Sequence, residues 1–118
     1  MRHNFRELTI WKVAMEIAKE VYLLSSALSS DEKFGLISQM NRSAVSIPSN
    51  IAEGSGRTSD KEFAHFLNIS LASSYELETQ LILTAEIYQV ETDKLVNDLK
   101  ELQKMIGGFK RKLKSLES

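Results

Sequence analysis

Apolar residues recur along this chain at alternating three- and four-residue steps, the period of a helix, and no two-residue alternation runs long enough for a strand. The first run is Ile10, Ala14, Ile17, Val21, Leu24 and Leu28, with Trp11, Met15, Ala18 and Tyr22 beside it. Lys12, Glu16, Lys19 and Glu20 mark its wet face, so the apolar arc is wide enough to meet two neighbours. The second run, Ile37, Met40, Ala44, Ile47 and Ile51, is crossed by Pro48, the only proline of the chain. Inside a helix a proline removes a backbone donor and crowds the carbonyl four residues back, at a cost of about 3 kcal/mol. Because the seam resumes in register at Ile51, the pattern predicts a bend at Pro48 rather than an end.

Gly54 and Gly56 follow, and glycine supplies the left-handed conformation that commonly stops a helix. Ser59-Asp60-Lys61-Glu62 then has the spacing of a capping box, in which serine and glutamate satisfy each other's free amides. The third run sets Phe63, Phe66, Leu67, Leu77, Leu81 and Tyr88 near one line and Leu71, Tyr75 and Ile82 on another. Its middle is small, with Ser70, Ala72, Ser73 and Ser74, which predicts the closest helix crossing there. The fourth run, Leu95, Leu99, Leu102, Ile106, Phe109, Leu113 and Leu116, keeps a heptad seam of left-handed bundle type. Gly107 and Gly108 weaken it by about 1 kcal/mol each relative to alanine, so fraying is expected after Phe109.

The fold predicted is all-α: an antiparallel up-down-up-down four-helix bundle with a proline-kinked second helix. The chain forms one domain over residues 1–118, with helices at about 8–28, 32–53, 60–88 and 93–114. Ser30 or Asp31 is the expected cap of the second helix. Three of the helices carry more apolar surface than one seam requires, with Trp11, Phe66 and Tyr75 beside the main stripes. Surface of that kind is expected to be covered by neighbouring copies in a closed homo-oligomer.

Composition narrows function mainly by exclusion. The chain has 118 residues, no cysteine and a net charge of −1. Disulfides, thiolate metal sites and cysteine nucleophiles are therefore out of reach. No secretory leader pattern opens the sequence and no apolar run is long enough to span a membrane, so the expected location is the cytoplasm. Charge is unevenly placed: residues 1–49 carry a net +1, residues 50–99 a net −6 and residues 100–118 a net +4.

Candidate chemistry is sparse. Glu62 and His65 have the Glu-x-x-His spacing of di-iron bundles, but such a site needs a second pair and the only other histidine is His3. No metal or other cofactor is expected. Gly54-Ser55-Gly56 follows no strand and precedes no Gly-Lys-Ser/Thr, so it is a helix stop rather than a phosphate loop. No nucleophilic triad is indicated, and the chain is expected not to be an enzyme. Glu53 sits in the last turn of its helix, where the dipole disfavours an anion. A cation partner is therefore expected, either Arg42 or Arg57. Lys110, Arg111, Lys112 and Lys114 either complement the dipole at the end of the last helix or contact RNA phosphates.

Arg42-Ser43-Ala44-x-Ser46-Ile47-Pro48-x-Asn50-Ile51-Ala52-Glu53-Gly54-x-Gly56-Arg57 resembles the signature of a known family, the small bacterial four-helix-bundle proteins encoded in intervening sequences of 23S rRNA genes. Phe5-Arg6-Glu7-Leu8-x-Ile10-Trp11-x-x-Ala14, Phe63-x-x-Phe66-Leu67 and Glu76-Leu77-Glu78-x-Gln80-Leu81 extend the likeness over nearly the whole chain. The resemblance implies a homopentameric ring, with Arg42, Asn50, Glu53 and Arg57 as motif or interface candidates. A related group serves diversity-generating retroelements, binding a reverse transcriptase and nucleic acid through a basic surface. RNA or a nucleic-acid-processing protein is thus the alternative partner, although a pI of about 6.1 matches that basic group poorly.

Overall fold

The computed structural model describes residues 3–28 and 35–117, the last two without their side chains. A short 3-10 turn at Phe5–Glu7 leads into α1 (Thr9–Ser26), α2 (Leu36–Ser55), α3 (Asp60–Tyr88) and α4 (Asp93–Glu117). There is no strand among the described residues. The expected caps at Ser30 or Asp31, the start of the second helix near Glu32 and the packing of Leu116 lie outside the described residues.

The apolar stripes meet along a single core. Ile10, Ala14, Ile17 and Val21 of α1 face Met40, Ala44, Ile47 and Ile51 of α2, and Phe63, Leu67, Leu77 and Leu81 of α3 face Leu99, Leu102 and Ile106 of α4, all of them buried. Removing each large apolar side chain from water contributes roughly 1.5–3 kcal/mol, which is what holds the four helices together. Each helix touches the two beside it and not the one diagonally opposite. The result is a rod of 49 × 21 × 20 Å. Connections of four residues, 56–59 and 89–92, make successive helices antiparallel.

Pro48 lies inside α2, which runs unbroken past it to Ser55. The seam is kept, with Ile47 and Ile51 both fully buried on either side of the proline. At the start of α3, Ser59 accepts a hydrogen bond from the Glu62 amide at 3.1 Å, the serine half of the expected capping box. α4 continues through Gly107 and Gly108 to Glu117, three residues beyond the predicted end.

α2 stops at the glycines as expected, but not in the expected left-handed conformation. No described glycine has positive φ. Gly54 is still within the last turn of α2, and Gly56 caps it with φ −92° and ψ 0°. The chain stays right-handed there because the Arg57 amide closes a turn onto the Gly54 carbonyl at 3.1 Å before the Ser59 cap opens the next helix. The left-handed residue is Gln89 after α3, at φ 55°.

Gly54 serves packing instead. A Cβ there would lie 2.8 Å from both the Phe63 ring and the Phe66 Cβ, so its absence lets α2 and α3 close together. One stretch further, Ser70 of α3 reaches the Ile47 carbonyl at 2.9 Å and Ser73 donates to the Ser46 hydroxyl at 2.8 Å. The small middle of α3 is the tight crossing that the sequence predicts, with hydrogen bonds across it.

Candidate interaction surfaces

Motif residues 41–57 occupy most of α2, and Ser46, Asn50, Glu53 and Arg57 are bonded within the chain. The Asn50 amide donates to the Ser46 carbonyl at 2.8 Å and to the Ser46 hydroxyl at 3.0 Å. Asn50 thereby orients the serine that Ser73 meets from α3, a role in the α2–α3 contact rather than in a site open to solvent. Glu53 forms its ion pair with Arg57. Arg42, eleven residues away and so about 16 Å along the helix, is too distant to compete. The Arg57 guanidinium also lies 4.6 Å from the centre of the Phe66 ring, a cation–π contact worth roughly 0.5–1 kcal/mol at an exposed site. Arg42 itself is exposed.

Beside this motif, α1 and α2 leave an open apolar groove of about 560 Å³. Trp11, Met15, Ala18, Tyr22 and Leu23 form one wall and Val45, Pro48, Ser49 and Ala52 the other, with Lys19 at the edge. Met15, Tyr22, Leu23 and Val45 are exposed. Two neighbouring helices thus present a continuous apolar strip to solvent. The wide arc of the first apolar run and the Pro48 motif, read separately in the sequence, converge on this one groove.

The basic residues near the C-terminus line two different depressions. Lys110, Arg111 and Lys114 line a groove of about 490 Å³ against the start of α3, where Lys61 joins them. Lys112 points elsewhere, into a depression with Glu7, Leu8 and Phe109. Lys110 is hydrogen-bonded to Asn68. The Arg111 guanidinium lies back along its own helix, 3.6–3.7 Å from where side chains at Gly107 and Gly108 would begin. The two glycines leave that surface free for the arginine. Lys61 carried no signal in the sequence, because only folding brings the start of α3 beside the end of α4.

His3 is the second residue that sequence patterns passed over. Its amide donates to the Ser55 carbonyl at 3.3 Å, and its Nε2 lies 3.6 Å from a carboxylate oxygen of Asp60. Its ring packs 5.0 Å from Phe63 and 6.1 Å from Phe109. The segment before α1 therefore seals this end of the bundle instead of trailing from it. Glu62 and His65 are both exposed at the start of α3. Among the described residues no three acidic or histidine side chains are grouped to hold a metal ion, and no helix is long and apolar enough to cross a membrane.

Known proteins bear on this arrangement at two levels. The model of the 23S rRNA-intervening sequence protein family matches residues 6–108. Among solved structures, the chain is similar to a protein of unknown function from the S23 ribosomal protein family of Bacteroides thetaiotaomicron, with a TM-score of 0.80 and 26% identity. That likeness covers 86% of this chain and 98% of the other. No curated protein matches. With four helices in the expected order and a family match that spans the Pro48 motif and most of every helix, the chain belongs to the 23S rRNA-intervening sequence protein family.

Proposed function

We propose that this protein is a non-catalytic bundle whose task is to associate, first with copies of itself in a closed cytoplasmic ring. Five subunits is the number that the family resemblance implies. The observation that carries this reading is the exposed apolar groove between α1 and α2, walled by Trp11, Met15, Tyr22, Leu23 and Val45 around Pro48. A lone subunit would keep that strip in water, whereas a neighbour would bury it at about 25 cal/mol per Å² of apolar surface. The commitment of Asn50, Glu53 and Arg57 to bonds inside the chain supports a scaffold over a catalyst, since these motif groups are engaged in holding α2 in shape. Light scattering at micromolar concentration tests it: the expected mass is five times that of one chain, and a single-chain mass overturns the proposal.

A second reading, binding of structured RNA or of a nucleic-acid-processing protein, is favoured by the convergence of Lys61, Lys110, Arg111 and Lys114 on one groove. Contacts of these cations with phosphates would release counterions, so affinity would fall steeply with salt. An RNA titration across salt concentrations tests it. Tight binding with a steep negative slope is expected under this reading, and no binding at about 50 mM salt, where such contacts are strongest, removes it.

A further inference from the structure

The apolar groove has a counterpart on the same subunit. On the outward face of α3, Tyr75, Ile82, Leu83 and Ile87 are all exposed, Ile87 by 55% and Tyr75 by 54%. Positions 72, 75, 76, 79, 82, 83, 86 and 87 share this face at helical spacing and are all exposed. α3 is thus apolar on two sides: one builds the core, the other is a ridge facing solvent. α1 and α3 are diagonal to each other in the bundle, each packed on α2 and α4, so the ridge and the groove are separate surfaces of one subunit.

Their charges are opposite. Glu76 and Glu86 flank the ridge, and no lysine or arginine occurs between Lys61 and Lys94. The groove has Lys19 at its edge. The exposed Arg42 lies on the helical line of Ser49, seven residues earlier, beside the same groove.

We propose that the α3 ridge of one copy seats in the α1–α2 groove of the next, Leu83 and Ile87 entering beside Leu23 and Val45 while Glu76 and Glu86 meet Lys19 and Arg42. Two unlike patches that fit each other make a head-to-tail contact, which closes into a ring where a two-fold contact would stop at a pair. A helix laid into an apolar groove gains its affinity from the buried side chains, and the flanking charges set its direction. This assignment rests on the self-association proposed above.

Complementation tests the contact. Leu23→Asp with Val45→Asp blocks the groove, and Leu83→Asp with Ile87→Asp blocks the ridge. All four positions are exposed, so the helical circular dichroism of both variants is expected to match the parent's. Each variant alone is expected to scatter as a single chain, and an equimolar mixture is expected to double that mass, because one intact groove meets one intact ridge. A variant that stays assembled like the parent, or a mixture that stays at single-chain mass, overturns the contact while self-association stands. A parent protein of single-chain mass overturns both. Because the chain has no cysteine, Val45→Cys and Leu83→Cys chains, each otherwise intact, supply a second measurement. Mixed with a short bis-maleimide they are expected to cross-link to each other, and failure to do so in an assembled mixture also overturns the contact.

Discussion

The Ser70 hydroxyl of α3 donates to the Ile47 carbonyl of α2 at 2.9 Å, one residue before the only proline in the chain. That carbonyl sits in a buried crossing, and the bond comes from a side chain small enough to allow the approach. Ser70→Ala is expected to destabilise the fold by about 1 kcal/mol, the ordinary net value of such a bond. Ser70→Leu should cost more, roughly 1–3 kcal/mol or above, because it overfills the same space. Urea unfolding midpoints of the two variants check the order.

Gly54 and Gly56 give a sharper contrast. Gly54→Ala places a methyl 2.8 Å from Phe63 and Phe66, whereas at Gly56 the nearest atom is the Glu53 carbonyl oxygen at 3.9 Å. Alanine favours a helix by about 1 kcal/mol over glycine, yet overpacking costs about 1–3 kcal/mol. Gly54→Ala is therefore expected to lower the thermal midpoint, and Gly56→Ala to leave it unchanged or raise it slightly.

Pro48 is expected to matter more between subunits than within one. It is buried in α2 and lines the apolar groove. Pro48→Ala should restore a backbone donor at little cost to the unfolding free energy, while lowering the assembled mass at a given concentration. Equal assembly of parent and variant by light scattering counts against a role for the proline.

Lys94 ties α4 to α1, donating to Asp98 at 2.9 Å and to Glu20 at 3.4 Å. The hydrogen bond to Asp98, then that to Glu20, raises its pKa above the ordinary 10.5. A raised folded pKa contributes stability that is fully present below the unfolded value and lost as pH rises through the folded one. Lys94→Met is thus expected to be slightly less stable than the parent near about pH 8 and to converge with it once the pH has risen through the folded value, above the ordinary 10.5. The ammonium is exposed, so the difference is small and shrinks with added salt. Thermal unfolding at the two pH values, with and without salt, reads it.

Periodicity carried most of the fold, because burial on one face of a helix is written directly into spacing. Ile10, Ala14, Ile17 and Val21, and Leu95, Leu99, Leu102 and Ile106, are buried where their seams place them. Ser59 caps α3 as its spacing predicts, and Glu53 found one of its two named partners. What depends on two distant segments was not legible. Ser70 and Ser73 read as small, with nothing to say that they donate to α2. Gly54 read as a stop because a glycine near a helix end has the same letter whether it turns the chain or admits a phenylalanine. His3 and Lys61 acquire their neighbours only when the bundle brings its ends together.

α2 ends, and α3 starts, at the same end of the rod as the last turns of α4, and there Lys61, Lys110, Arg111 and Lys114 line one groove. The opposite end holds Glu86, Glu91 and Asp93 around the turn from α3 to α4. The rod is 49 Å long, several times the screening distance of about 8 Å at physiological salt. The two poles therefore act electrostatically as strangers to one another. Subunits standing side by side in the same direction would build a disc with one cationic and one anionic rim. Such a disc has a top and a bottom: it would settle on a polyanion by one face alone, and two of them would stack in only one sense.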